Sequence, residues 1–130
     1  MPGGLTLSED EVGAISQRMF DALFMPELAE LSARYGGLGM HCCAHARHQW
    51  PGFRRIPGLR LLNLVQPAPV IHQAVAFFAG LPQMHSYGGE GPAWTWPAQY
   101  PPDARLVFDI NAASRAEAEE IASRLRQACR

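Results

Sequence analysis

Two spacings of apolar residues alternate along the chain. Leu5-Thr6-Leu7 is a short extended run ending a strand, and Ser8 with Glu11 three residues later reads as a capping box opening a helix. Ile15, Met19 and Leu23 then recur at helical spacing, Pro26 breaks or restarts the helix, and Leu28 and Leu31 carry its apolar face to Gly36-Gly37. Leu38-Gly39-Met40-His41-Cys42 is the next strand, and a short helical or turn segment from His48 to Phe53 is limited by Pro51 and Pro57. Leu59 to Leu64 is a near-continuous apolar run, as in a strand buried on both faces. Pro69 to Phe78 predicts a helix with Ile71, Ala74, Val75 and Phe78 on one face. Gln83-Met84-His85 reads as a further strand, Pro92 to Pro102 as a long ordered loop and Arg105 to Ile110 as a last strand. Ser114 and Glu117 cap a final helix whose inner face carries Ala118, Ile121, Ala122, Leu125 and Cys129.

Strand and helix alternate throughout, which predicts an α/β fold with a parallel sheet and covering helices. At 130 residues the chain holds one domain, spanning 1–130, with one core. A composition of 48% hydrophobic and 18% charged residues is that of a globular domain. The net charge of −1 gives no electrostatic footprint for nucleic acid or an anionic membrane surface. The longest nearly apolar stretch, Pro67 to Leu81, contains His72 and Gln73 and is too short to span a bilayer. Without a basic segment leading into an apolar run at the N-terminus, a cytoplasmic location is expected. Every basic residue is arginine, so Schiff-base and P-loop lysine chemistry is excluded.

The chemistry concentrates in His41-Cys42-Cys43-Ala44-His45-Ala46-Arg47-His48. Side chains alternate across a strand, so His41 and Cys43 point one way while Met40 and Cys42 point the other. The pair closes its strand, and in parallel βα architectures that end faces the active site. One imidazole and one thiolate there suit zinc, whose catalytic sites take three protein ligands and leave a position open. A His-x-Cys pair alone does not separate this reading from a core cysteine beside an ordinary histidine. Adjacent cysteines bridge only with strained geometry, which argues against a Cys42–Cys43 disulfide. Glu9 and Asp10 lie near the same mouth, where the simpler reading is favourable charge at a helix start. Gly88-Gly89-Glu90-Gly91 is a weak phosphate-loop signal, because no well-capped helix follows it.

The segment from Tyr35 to Leu64 resembles the uroporphyrinogen decarboxylase superfamily, whose barrels carry a glycine-bounded strand running into His-x-Cys-Gly. A helix and a strand like Pro57-Gly58-Leu59-Arg60-Leu61-Leu62-Asn63 follow in that superfamily, and residues 3–91 match it in order and spacing. The resemblance implies about the C-terminal half of a TIM-type (βα) barrel. In the corrinoid-dependent methyltransferase branch, His-x-Cys and a distant cysteine hold zinc, which binds the thiol acceptor as thiolate. His41 and Cys43 match the first two ligands; the family's next glycine is Ala44, and the region of the third ligand reads Asn111-Ala112-Ala113. His45, with His48 as alternative, is the expected substitute, and Cys129 is expected on the buried face of the last helix. Asn63, near a strand end, and His85, nearest to the late histidine of the decarboxylase branch, are the expected substrate contacts.

The function expected from the resemblance is zinc-dependent methyl transfer from a corrinoid, carried by a partner, to a small thiol. Tetrapyrrole decarboxylation and a non-catalytic remnant or subunit are the alternatives. A complete barrel needs eight units and typically ~250 residues. A half-barrel is therefore expected to be a fragment of a larger gene product, to pair with a chain supplying the N-terminal half, or to form a homodimer.

Overall fold

The computed structural model describes residues 4–129. Strand β1 (Leu5–Ser8), strand β2 (Leu38–Cys42) and strand β3 (Leu59–Leu64) form a parallel sheet in sequence order. Parallel bridges from Leu62 to Gln83 and from Gln83 to Leu106 add two further chain passes on the β3 side. The strands expected at 83–85 and 105–110 are thus reduced to single bridges. The α/β class and the parallel arrangement hold.

A turn of 3₁₀ helix (Glu11–Ala14) follows β1, and α1 (Gln17–Met19) passes through a π-helical turn (Phe20–Phe24) into α2 (Met25–Tyr35). The helix starts later than Ser8 and Glu11 predicted, because Ser8 still pairs with His41 and Glu9 N–H donates to the His41 carbonyl at 2.9 Å. Ser16 is the true N-cap, accepting from Met19 N–H. Pro26 does not break the helix either. It sits in the first turn of α2, directly after the π turn, whose wider i→i+5 bonding accommodates a residue without an N–H.

After β2 come a 3₁₀ turn (Arg47–Gln49), the short α3 (Trp50–Phe53), β3 and then α4 (Ala68–Phe77). The α4 segment buries Ile71, Ala74, Val75 and the following Phe78, the face its spacing predicts. A 3₁₀ stretch (Ala93–Gln99) and α5 (Arg115–Ala128) complete the chain. Ser114 caps α5 as expected, accepting from Glu117 N–H, while the Glu117 carboxylate accepts from Ala113 N–H. Along α5, however, Ile121 alone is buried, and Cys129 is exposed at the C-cap rather than packed in the core.

The core lies on one face of the sheet. Leu38, Met40, Cys42, Leu62 and Leu64 are at most 2% exposed and pack with Phe20, Phe53, Trp50 and the α4 residues. Directly paired residues share a face, so Thr6, Ser8, His41, Leu61 and Asn63 line the opposite one. That face is half-buried or exposed at each of these five positions. Parallel sheets are ordinarily covered on both faces; among the described residues this one is fully covered on one and only partly on the other.

Candidate metal centre

Three successive loops meet at the C-terminal edge of the sheet. The loop after β1 is laced to the loop after β2 by Gln49, whose amide donates to the Val12 and Ile15 carbonyls at 3.0 and 2.8 Å. His48 Nε2 reaches the Ile15 carbonyl at 2.9 Å, which engages that histidine structurally. Gly13 completes the contact: a Cβ there would lie 2.7 Å from the Ala44 methyl. Ala44, which stands where the resemblance calls for glycine, is therefore accommodated by a glycine across the edge. Gln66, in the loop after β3, donates to the Cys43 and Ala44 carbonyls, both at 2.9 Å.

Asp10, His41 and Cys43 converge within this frame. One ligand atom from each lies within 4.8 Å of the others. The register explains the grouping. Ser8 pairs with His41, so the chain two residues further on brings Asp10 beside Cys43. Asp10 Oδ1 accepts the Cys43 backbone N–H at 2.6 Å, and Ser8 Oγ donates to Oδ2 at 3.2 Å. Cys42, one residue earlier, is buried on the core face. His41 Nδ1 is hydrogen-bonded to Asn63 Oδ1, and Asn63 Nδ2 donates to the Met84 carbonyl.

His45, expected as third ligand, is exposed and is not part of this group. It lines an adjoining cavity of about 190 Å³ with Arg47, His48, Trp50 and Gln66, and none of Asp10, His41 or Cys43 lines that cavity. His85, expected as a substrate contact, is 8% exposed with both ring nitrogens engaged, Nδ1 by Leu64 N–H and Nε2 by Gln83 Oε1, each at 3.0 Å. The Gly88–Gly91 loop is no phosphate cradle, since Trp96 packs directly against Gly88 and Gly89. Asp10 is the residue sequence reasoning set aside as helix-start charge. The signal for it was parallel pairing: loops after neighbouring parallel strands meet at the same edge.

Electrostatics tie Asp10 and Cys43 together. The Cys43 backbone N–H, and then its thiol, hold the Asp10 carboxyl below its usual range. The same hydrogen bond to Asp10, followed by burial, pushes the Cys43 thiol up. Burial moves Cys42 up to about 11, so it stays a thiol. Glu9 is also raised, by burial first and then by Glu11, Glu27 and Asp10. The two shifts run together, favouring the charged carboxylate on Asp10 and the protonated thiol on Cys43.

The donor set of one imidazole, one thiol sulfur and one carboxylate fits zinc: borderline-soft, three protein ligands, with room for a fourth. Comparison of the chain with protein-family models, with curated proteins and with solved structures finds no significant match in any of the three. Fold and site together define an α/β protein with a parallel sheet and a candidate Asp-His-Cys metal centre at its C-terminal edge. Among the described residues no helix is long and apolar enough to cross a membrane.

Proposed function

We propose that the chain is a zinc-binding half-barrel of the uroporphyrinogen decarboxylase superfamily that serves methyl transfer from a corrinoid to a thiol acceptor. The observation that carries the reading is the convergence of Asp10, His41 and Cys43 at the mouth of an in-order parallel sheet. Asp10 takes the place of the distant cysteine the resemblance implies. Zinc held there would supply the Lewis acidity that keeps a bound thiol as thiolate at neutral pH. Asp10, His41 and Cys43 would hold the metal, with Cys43 giving its proton to solvent as the metal binds. A corrinoid brought by a partner would supply the methyl group, the carbon–sulfur bond forming as the carbon–cobalt bond breaks with its electron pair left on cobalt.

The uncovered sheet face supports the half-barrel part of the proposal, because a second half, from another copy or a partner, covers it. Tetrapyrrole decarboxylation has less support, since His85 has no ring nitrogen left for a substrate. One observation favours a non-catalytic subunit as second reading: the cavity beside the centre is not lined by its residues.

Titration with zinc and cobalt(II) tests the proposal. One equivalent of metal, with a thiolate-to-cobalt absorption band lost in Cys43→Ala and kept in Cys129→Ala, is expected. Methylation of a small thiol by methylcobalamin in the presence of the covering half follows from the same reading. A chain that takes up no metal, or loses it equally in Cys129→Ala, overturns it.

A further inference from the structure

The hydrogen bonds around Asn63 contain an assignment that the ligand set alone does not give. The Met84 carbonyl can only accept, so the Asn63 group facing it is the NH₂, and the amide orientation is fixed. The oxygen of the same amide then faces His41 Nδ1. An amide oxygen only accepts, so Nδ1 must carry the ring proton and the lone pair of the neutral imidazole lies on Nε2. Asn63 sits directly across from His41 in the β2–β3 pairing, and Met84 follows Gln83, which bridges to Leu62 beside Asn63. Three neighbouring chain passes thus set one proton.

We propose that Asn63 is a positioning residue that locks His41 in the Nδ1–H tautomer, leaving a bare Nε2 for a cation before any ion arrives. This deepens the zinc reading for the ligand's second role, but the tautomer itself exists in the metal-free chain. The same Asn63 is the expected substrate contact, and each end of its amide already has one partner within the protein. Partners of this kind set the tautomer and ring orientation of metal-binding histidines, and their loss typically lowers metal affinity about 10–100-fold.

Long-range ¹H–¹⁵N correlation spectra of the metal-free, histidine-labelled chain at pH 8 read each tautomer directly. His41 is expected wholly as Nδ1–H, and His85, whose Nδ1 accepts from a backbone N–H, serves as an internal reference for Nε2–H. Asn63→Leu removes the acceptor and should turn His41 to a mixture or to Nε2–H, with zinc affinity lower by about 10–100-fold. Asn63→Asp keeps an acceptor toward His41 and should retain the tautomer, which separates positioning from packing. An Nε2–H signal for His41 in the unaltered chain overturns the proposal, as does equal loss of the tautomer in both variants. If Asn63→Leu fails to fold, the unaltered chain and Asn63→Asp still decide the matter. A chain that binds no zinc yet shows His41 as Nδ1–H ends the zinc reading and upholds this one.

Discussion

Two histidine–amide pairs lie a few residues apart in the sheet and have opposite fates. At the edge of β2, His41 meets Asn63 through one nitrogen, and the other has no hydrogen-bond partner among the described residues. In the segment after α4, His85 meets Gln83 through Nε2 while Leu64 N–H occupies Nδ1. Gln83 in turn donates to the Val75 and Phe78 carbonyls, so that its oxygen must face His85. Both amides are oriented by backbone carbonyls; the difference lies in the face. Gln83 and His85 point into the helix-covered core, where every polar atom needs a partner, whereas Asn63 and His41 point to the open side. The same residue types thus build a structural knot on one face and a candidate ligand on the other.

Ligand removal should separate the pairs most sharply. His41→Ala or Cys43→Ala is expected to weaken zinc more than 100-fold, beyond the range for a supporting partner, with His85→Gln within a few-fold of the unaltered chain. Competition against a chromophoric chelator measures both, and a comparable loss in His85→Gln would dissolve the distinction.

Acid should act on the buried pair. Burial pushes His85 from its ordinary 6.5 down to about 4, so the unfolded chain binds the extra proton first. The stability gained by keeping His85 neutral is complete above about 6.5 and is lost as pH falls toward about 4, by up to about 3 kcal/mol. Urea melts across that window, compared with those of His85→Gln, should show the difference. Asp10 acts in the same direction but at lower pH: its contribution is present above 3.8 and fades only as pH falls through its lowered value. A flat profile for the unaltered chain between 6.5 and 4 would mean that His85 is not held neutral.

Next in size is Gln83→Leu, which takes the amide donor from the Val75 carbonyl and the acceptor from the His85 ring N–H, while the Phe78 carbonyl keeps the Leu81 N–H. A loss of about 2 kcal/mol is expected, while Cys43→Ala, at an exposed position, should stay within about 0.5 kcal/mol. Chemical denaturation compares the two.

The smallest effect sharpens the open side. Asp10 holds the proton on Cys43, so Asp10→Asn should let the thiol fall toward its ordinary range and react faster with iodoacetamide at pH 8, by about a few-fold. An unchanged rate would show that the carboxylate does not govern this thiol.

Much of this frame was legible in the chain. The β2 alternation separated Cys42 from His41 and Cys43, the α4 face was right residue by residue, and Ser114 with Glu117 marked the start of α5. The failures have local physical causes. Ser8 resembled a cap, but pairing with His41 kept it in β1. The apolar run from Arg105 to Ile110 reads as a strand, yet only Leu106 bridges the sheet. Cys129 has helical spacing, but α5 buries Ile121 alone and leaves the thiol outside. Asp10 was unreadable as a candidate ligand because nothing in local spacing links it to Cys43; only the register of two strands does.

That β2 has its core on one side and its chemistry on the other makes the chain's count of residues matter by parity. Met40 and Cys42 occupy even positions against the helices, and His41 and Cys43 odd positions toward the open side. A single-residue deletion between Gly36 and Leu38 that preserved strand pairing would exchange the two sets, placing an imidazole in the core and a methionine at the mouth. A two-residue change would restore the assignment. Insertions and deletions here should therefore be tolerated in pairs and rejected singly, a pattern that a library of length variants in the Gly36-Gly37 turn can reveal without any knowledge of the reaction.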